Sequence, residues 1–158
     1  MLGSRQALEK KFSEFRKTLK EKAIHKYMTG ERNYSVSGDF IYNSKNVKNS
    51  YYVLDGENHK YSVRSTEGQK DSMDIFGVNA GELGYESNNI DFSSRCFFSV
   101  NGENNMDSSY LVDCDHVNNS FGCISVRKKE YCILNKQYDK KMYEELKEKI
   151  ISQMKELP

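Results

Sequence analysis

Nine positions between Gly38 and Cys132 recur at steps of 11 to 13 residues: Gly38, Ser50, Tyr61, Ser72, Gly84, Cys96, Ser109, Ser120 and Cys132. Eight of the nine are Gly, Ser or Cys, and most are followed by a short run of Tyr, Phe, Val, Ile or Leu, as in Ser50-Tyr51-Tyr52-Val53 and Ser109-Tyr110-Leu111-Val112. A unit this short cannot bury its apolar side alone; it is stabilised by stacking on copies of itself. The segments between joints are rich in β-branched and aromatic residues. The joints themselves collect Asn, Asp and Gly, notably Asp55-Gly56-Glu57-Asn58 and Asn101-Gly102-Glu103-Asn104, which is turn chemistry. These two turn blocks lie 46 residues apart, four units of the beat, a spacing that points to internal duplication.

The pattern predicts a mainly β chain: a short β-solenoid over 34–136, right-handed, with two or more strands in each winding. Two units per winding give about four coils of 22–25 residues and a body ~15–20 Å tall at ~4.8 Å per stacked strand. Such a stack leaves open strand edges at both ends, which natural solenoids cover.

Helical patterns flank the repeats. Leu8, Phe12, Phe15, Leu19, Ala23 and Tyr27 fall at steps of 4, 3, 4, 4 and 4, one stripe of an amphipathic helix over 4–29 with Ser4 as N-cap and Gly30 as stop. Its other face carries Lys10, Arg16, Lys17 and Lys20. At the far end Asp139 caps a second helix over 139–156, where Tyr143, Leu146, Ile150 and Met154 repeat at 3, 4 and 4. Both helices are expected to dock as caps, making 1–158 a single domain.

The recurring small residue is placed where successive coils approach, so Ser109→Leu is expected to overpack that column by ~1–3 kcal/mol while Lys48→Leu on a polar joint costs little. The next position is mostly large: Tyr51, Tyr85, Phe97, Tyr110 and Phe121. Neighbours on a strand face opposite ways, so these aromatics are either core or a surface stripe that binds a partner. The area they offer for burial favours the core.

Charge is uneven. Residues 1–32 hold nine Lys/Arg against four Asp/Glu, residues 33–126 six against thirteen, and residues 127–158 nine against six. Basic ends suit an acidic partner such as nucleic acid, although Lys-rich helix faces are commonly just solvated. No run of ~18 apolar residues is present and the first 30 carry charges throughout, so no membrane partner is expected and the chain is placed in the cytoplasm, with its four cysteines as thiols.

Chemistry has little purchase. Asp113, Cys114, Asp115 and His116 form the densest set of potential ligands, with Cys123 and Cys132 beyond, yet zinc sites bring ligands in close pairs; here eight residues separate each cysteine from the next. Small buried thiols are the better reading. His25, His59 and His116 sit in no local motif with a cysteine nucleophile, and the Asp113/Asp115 pair fits a turn better than glycoside chemistry. Phosphate-binding glycine motifs are absent, as are hexapeptide and pentapeptide repeats. No catalytic residue, metal or cofactor is assigned.

The segments Asn118-Asn119-Ser120-Phe121-Gly122-Cys123, Arg127 to Tyr138, Glu82-Leu83-Gly84-Tyr85-Glu86-Ser87 and the opening Leu2-Gly3-Ser4-Arg5 resemble the C-terminal Cys/Asn-rich repeat region of uncharacterised candidate-phylum bacterial proteins. Some of those carry a preceding zinc-ribbon-like segment and an unsupported CoA-transferase label. The likeness covers nearly the whole chain. Here Ser50, Ser72, Gly84, Ser109 and Ser120 stand where Cys is common in that family, and no ribbon is present, which weakens any case for metal. The resemblance implies one continuous repeat domain and no known activity, and it is compatible with a piece of a longer protein. The resulting expectation is a non-enzymatic scaffold or protein-interaction module, with a nucleic-acid module using the basic helices as the alternative and a carbohydrate- or acyl-group enzyme more remote.

Overall fold

The computed structural model describes residues 4–24 and 26–156; His25 lies outside them. The repeats form a β-solenoid of about eight coils. Parallel pairing sets its period: Gly38 pairs with Ser50, Tyr51 with Val63, Asn88 with Val100 and Val112 with Ile124, each a step of 12. One unit of the beat therefore makes one whole coil. This corrects the expected four coils of 22–25 residues, and the stack from first to eighth coil rises about 34 Å at ~4.8 Å per step.

Backbone conformation explains the short circuit. Every third residue takes a positive φ, as at Asn43, Asn46 and Asn49 (50°, 54° and 49°) and at Asn101, Asn104 and Asp107 (51°, 54° and 50°). Left-handed residues turn the chain sharply, and four such corners close a coil. Asn and Asp adopt this region at little cost, which is why they crowd the sequence between apolar positions. One coil is a residue longer: Val63 pairs with Phe76, a step of 13, with the extra residue in the Glu67-Gly68 turn.

Between corners, one residue in three points inward, and four inward columns run the length of the body. The first includes Ser50, Ser62, Ile75, Ser87, Ser99, Leu111 and Cys123; the second Ile41, Val53, Ser65, Val78, Ile90, Cys114 and Val126. The third includes Ser44, Gln69, Ser93, Asn105 and Val117, and the fourth Val47, His59, Ser72, Cys96, Ser108, Ser120 and Cys132. The expected column of small residues thus exists from Ser72 to Cys132, with one displacement: Ser108 is inward, 1% exposed, and Ser109 is not. Farther up, Ser50 belongs to the first column and Tyr61 is an exposed corner.

Hydrogen bonding accounts for the serines. In the side Ser120-Phe121-Gly122, the Phe121 N–H donates to the carbonyl of Cys132 in the next coil and the Gly122 N–H to that of Ser109 in the previous one. The third N–H, of Ser120, points inward and donates to the Ser108 hydroxyl at 3.0 Å. All the inward hydroxyls but that of Ser65 also donate to the carbonyl two residues back, as Ser108 does to Met106 at 2.7 Å and Ser120 to Asn118 at 3.0 Å. The same ladder joins Ser50 to Ser62, Ser72 to Gly84, Ser87 to Ser99 and Ser93 to Asn105. Buried backbone donors need such partners. Here a small polar side chain supplies them without widening the core.

Helix α1 spans Arg5–Lys22, with the Ser4 hydroxyl accepting from the Ala7 N–H at 3.2 Å. It ends at Lys22, eight residues before Gly30, and the next residue, Ala23, is extended. Contrary to the capping expectation, none of its residues is buried: Leu8, Phe12, Phe15 and Leu19 are 43–58% exposed. Helix α2 spans Lys140–Lys155, with Asp139 accepting from the Met142 N–H at 3.0 Å. It lies against the side of the stack. The Tyr143 ring packs 5.6 Å from Tyr131, and Ile151, Met154 and Lys155 share a cleft with Phe97, Phe98, Tyr110 and Phe121, one to three coils back.

Candidate interaction surfaces

Two outward residues separate consecutive inward ones, so the body presents four flat faces, each a double ladder. On the face between the first and second inward columns, the register stacks Tyr51, Val63, Phe76, Asn88, Val100, Val112 and Ile124 in one line. From Tyr51 to Ile124 that line contains no charge; one coil before Tyr51 it continues to Asp39, which is half-buried and accepts from the Thr29 N–H. Its six apolar members are 36–58% exposed. The corner line beside it runs Tyr52, Arg64, Gly77, Asn89, Asn101, Asp113 and Ser125.

The face between the fourth and first columns is aromatic in its later coils. Tyr85 meets Phe98 edge-on at 5.5 Å, Phe98 stacks on Tyr110 at 4.8 Å with planes 11° apart, and Tyr110 meets Phe121 at 5.1 Å. Phe98 and Tyr110 sit in left-handed corners, where a bulky residue costs roughly 1–2 kcal/mol; stacking on neighbours offsets part of that. On the other side of α2, Arg95 clasps Asp107 with two hydrogen bonds of 2.5 and 2.9 Å, which raises the arginine and lowers the carboxylate.

The five aromatics singled out from sequence are therefore not core. Tyr51 belongs to the first of these faces, while Tyr85, Phe97, Tyr110 and Phe121 belong to the second. They do not form one stripe. The physical reason is width: the inward columns hold Ser, Cys, Val and Ile, and a 12-residue circuit leaves no room for rings, except where His59 is accommodated.

His59 is fully buried. The Gln69 carbonyl 2.6 Å from Nε2 can only accept, so Nε2 carries the proton and Nδ1 faces the Ser62 hydroxyl at 3.2 Å. Burial holds its pKa below the ordinary histidine value. Glycine makes the space: a Cβ on Gly56 would lie 2.6 Å from Val53 and 3.3 Å from His59, and one on Gly81 would lie 3.2 Å from the Gln69 side chain. His59 and Gln69 are core residues that the sequence marks only through these neighbouring glycines.

The Asp113 to His116 cluster is dispersed. Cys114 faces inward, Asp113 and His116 are exposed corners, and Asp115 lies on the next face, 2.8 Å from His116 and 3.6 Å from Arg127. Cys123 and Cys132 occupy two further inward columns. Burial raises all four thiols, Cys96 to about 11, so they stay protonated and poorly nucleophilic near neutrality. Among the described residues, no three His, Cys, Asp or Glu side chains converge on a metal position. No helix of the described residues is long and apolar enough to cross a membrane.

No protein-family model and no curated protein matches the chain. Structural similarity is found to two crystal structures of a perosamine N-acetyltransferase from Caulobacter crescentus, variants solved with CoA and GDP-perosamine. One is 16% identical with a TM-score of 0.15, over 78% of this chain and 58% of that one; the other is 13% identical with 0.16, over 79% and 60%. This chain thus spans less than two thirds of either relative, and superposition this loose supports neither fold nor activity.

Proposed function

We propose that the protein is a non-enzymatic β-solenoid that works as a protein-interaction module. The observation that carries this reading is the uncharged ladder from Tyr51 to Ile124, an exposed apolar line running along seven coils. Soluble proteins seldom expose long contiguous apolar surface without a partner for it. The reactive groups support the same reading from the other side, since the thiols and His59 are spent inside the stack. The test is retention of one protein from the native organism on the immobilised chain, compared with Phe76→Lys/Val112→Lys and with Phe98→Lys/Tyr110→Lys. Loss of retention in one surface variant that keeps its fold supports the module. Equal retention by all three, or turnover of a substrate that requires Cys114 or His116, overturns it.

A second reading, a nucleic-acid module, is favoured by α1, whose Lys10, Arg16, Lys17 and Lys20 are all exposed. Binding through them should weaken steeply with salt. A lack of binding at low salt removes it.

A further inference from the structure

We infer that the partner of the Tyr51–Ile124 ladder is a second copy of this chain, laid face to face and running the opposite way. The inference rests on the interaction-module reading and names its partner. Two observations select this occupant.

The first is repeat length. The ladder's side chains recur once per coil, at ~4.8 Å. A helix repeats at ~5.4 Å and falls out of step within a few turns. Another stacked β-surface keeps step over the whole line, and an identical one matches it best, as identical ladders do when they interdigitate.

The second is charge. Asn88 is the middle member of the uncharged stretch, three coils from Tyr51 and three from Ile124, with Asp39 one coil beyond Tyr51 and outside the proposed contact. In the corner line, Arg64 lies two coils before the Asn88 coil and Asp113 two coils after it. Both are exposed, and they are the only charges of the double ladder between Tyr51 and Ile124. A twofold axis along the strand direction through the Asn88 coil sets Arg64 of each copy opposite Asp113 of the other. The same operation sets Val63 against Val112, Phe76 against Val100 and Tyr51 against Ile124, with the two Asn88 amides meeting on the axis. A copy laid the same way up instead puts the arginines at one level and the aspartates four coils away. The interface is isologous, as closed dimers require.

Its footprint, six coil steps of ~4.8 Å by a three-residue side of ~10 Å, is on the order of 300 Å² per copy. That places the pair among small, reversible interfaces, formed at high local concentration.

Sedimentation equilibrium of the full chain from about 10 µM to about 1 mM covers the range in which such interfaces dissociate. The wild type should pass from monomer to dimer, and Phe76→Lys should stay monomeric. Arg64→Asp and Asp113→Arg should each weaken the dimer by roughly tenfold, the scale of a modest charge pair, and the double swap should restore most of the loss. Asn88→Cys should be joined between copies by a short bis-maleimide, because the native thiols are all buried and the two residues 88 face each other across the axis. Circular dichroism confirms that each variant keeps its β-fold. A wild type that stays monomeric to about 1 mM overturns the pairing, as does a dimer indifferent to Phe76→Lys or single charge swaps whose combination fails to recover. If the chain is monomeric yet still retains another protein through Phe76 and Val112, self-pairing fails while the module reading stands.

Discussion

Ser108 and Ser109 are chemically identical neighbours on opposite sides of the wall, and replacing each with leucine tests the 12-residue coil directly. Ser108 is 1% exposed between Cys96 and Ser120 in the fourth inward column. Leucine there adds three carbons where successive coils are only ~4.8 Å apart, and overpacking of that kind costs ~1–3 kcal/mol. It also removes the acceptor of the Ser120 N–H and the donor to the Met106 carbonyl. Leaving such a buried backbone group unpaired adds ~1–3 kcal/mol. The sum, about 2–6 kcal/mol, lowers Tm by at least ~4 °C at the ~2–4 °C per kcal/mol of a chain this size. Ser109 is half-buried on the outside, paired in register with Phe97 and Phe121; leucine there extends an apolar row and should move Tm by no more than ~2 °C. Thermal melts by circular dichroism on the two variants decide it. Equal losses, or a larger loss at Ser109, refute the inward assignment and with it the one-unit coil.

Buried His59 makes stability pH-dependent. Its folded pKa lies below the ordinary 6.5, so the unfolded chain takes up the proton first. The contribution is complete above the unfolded pKa and is lost as pH falls through the folded one, at up to ~1.4 kcal/mol per pH unit. Urea midpoints should drop more steeply below pH ~6.5 for the wild type than for His59→Gln, and parallel profiles would contradict the burial. Helix α1 buries none of its residues, so deleting residues 1–24 should shift Tm by less than ~2 °C. A collapse of the β signal in that truncation would mean that α1 supports the stack.

Sequence exposed the period, the parallel stacking, the turn chemistry and both helix caps, because each depends on local residue types: Ser4 and Asp139 cap, and Asn, Asp and Gly turn. The number of units per coil was not legible from the 12-residue beat, since one or two units per winding repeat the same small residue equally well. A finer period carried that information. Asn43, Asn46, Asn49 and again Asn101, Asn104, Asp107 fall at intervals of three, and a left-handed residue at every third position leaves three-residue sides. The aromatic Phe40, Tyr52, Phe98 and Tyr110 occupy the same corners and obscured the pattern, because nothing in their chemistry favours that conformation.

The placement of the aromatics follows from the same geometry. Area arguments assign large rings to the core only when the core has volume for them, and a 12-residue circuit does not. A narrow solenoid can take one residue in three inside, mostly Ser, Val, Ile or Cys, so additional apolar residues are driven to its faces whatever their size. There they need cover. On the aromatic face the chain supplies part of it: Ile151 and Met154 of α2 border the cleft formed by Phe97, Phe98, Tyr110 and Phe121, which stay partly exposed. The Tyr51–Ile124 face has no such helix. Nor can α1 serve it in step, because a helical stripe advances ~5.4 Å per turn against ~4.8 Å per coil. A flat, neutral, evenly spaced line with one positive and one negative corner at equal distances from its midpoint is complementary to its own reverse, and that property requires no second protein to explain it.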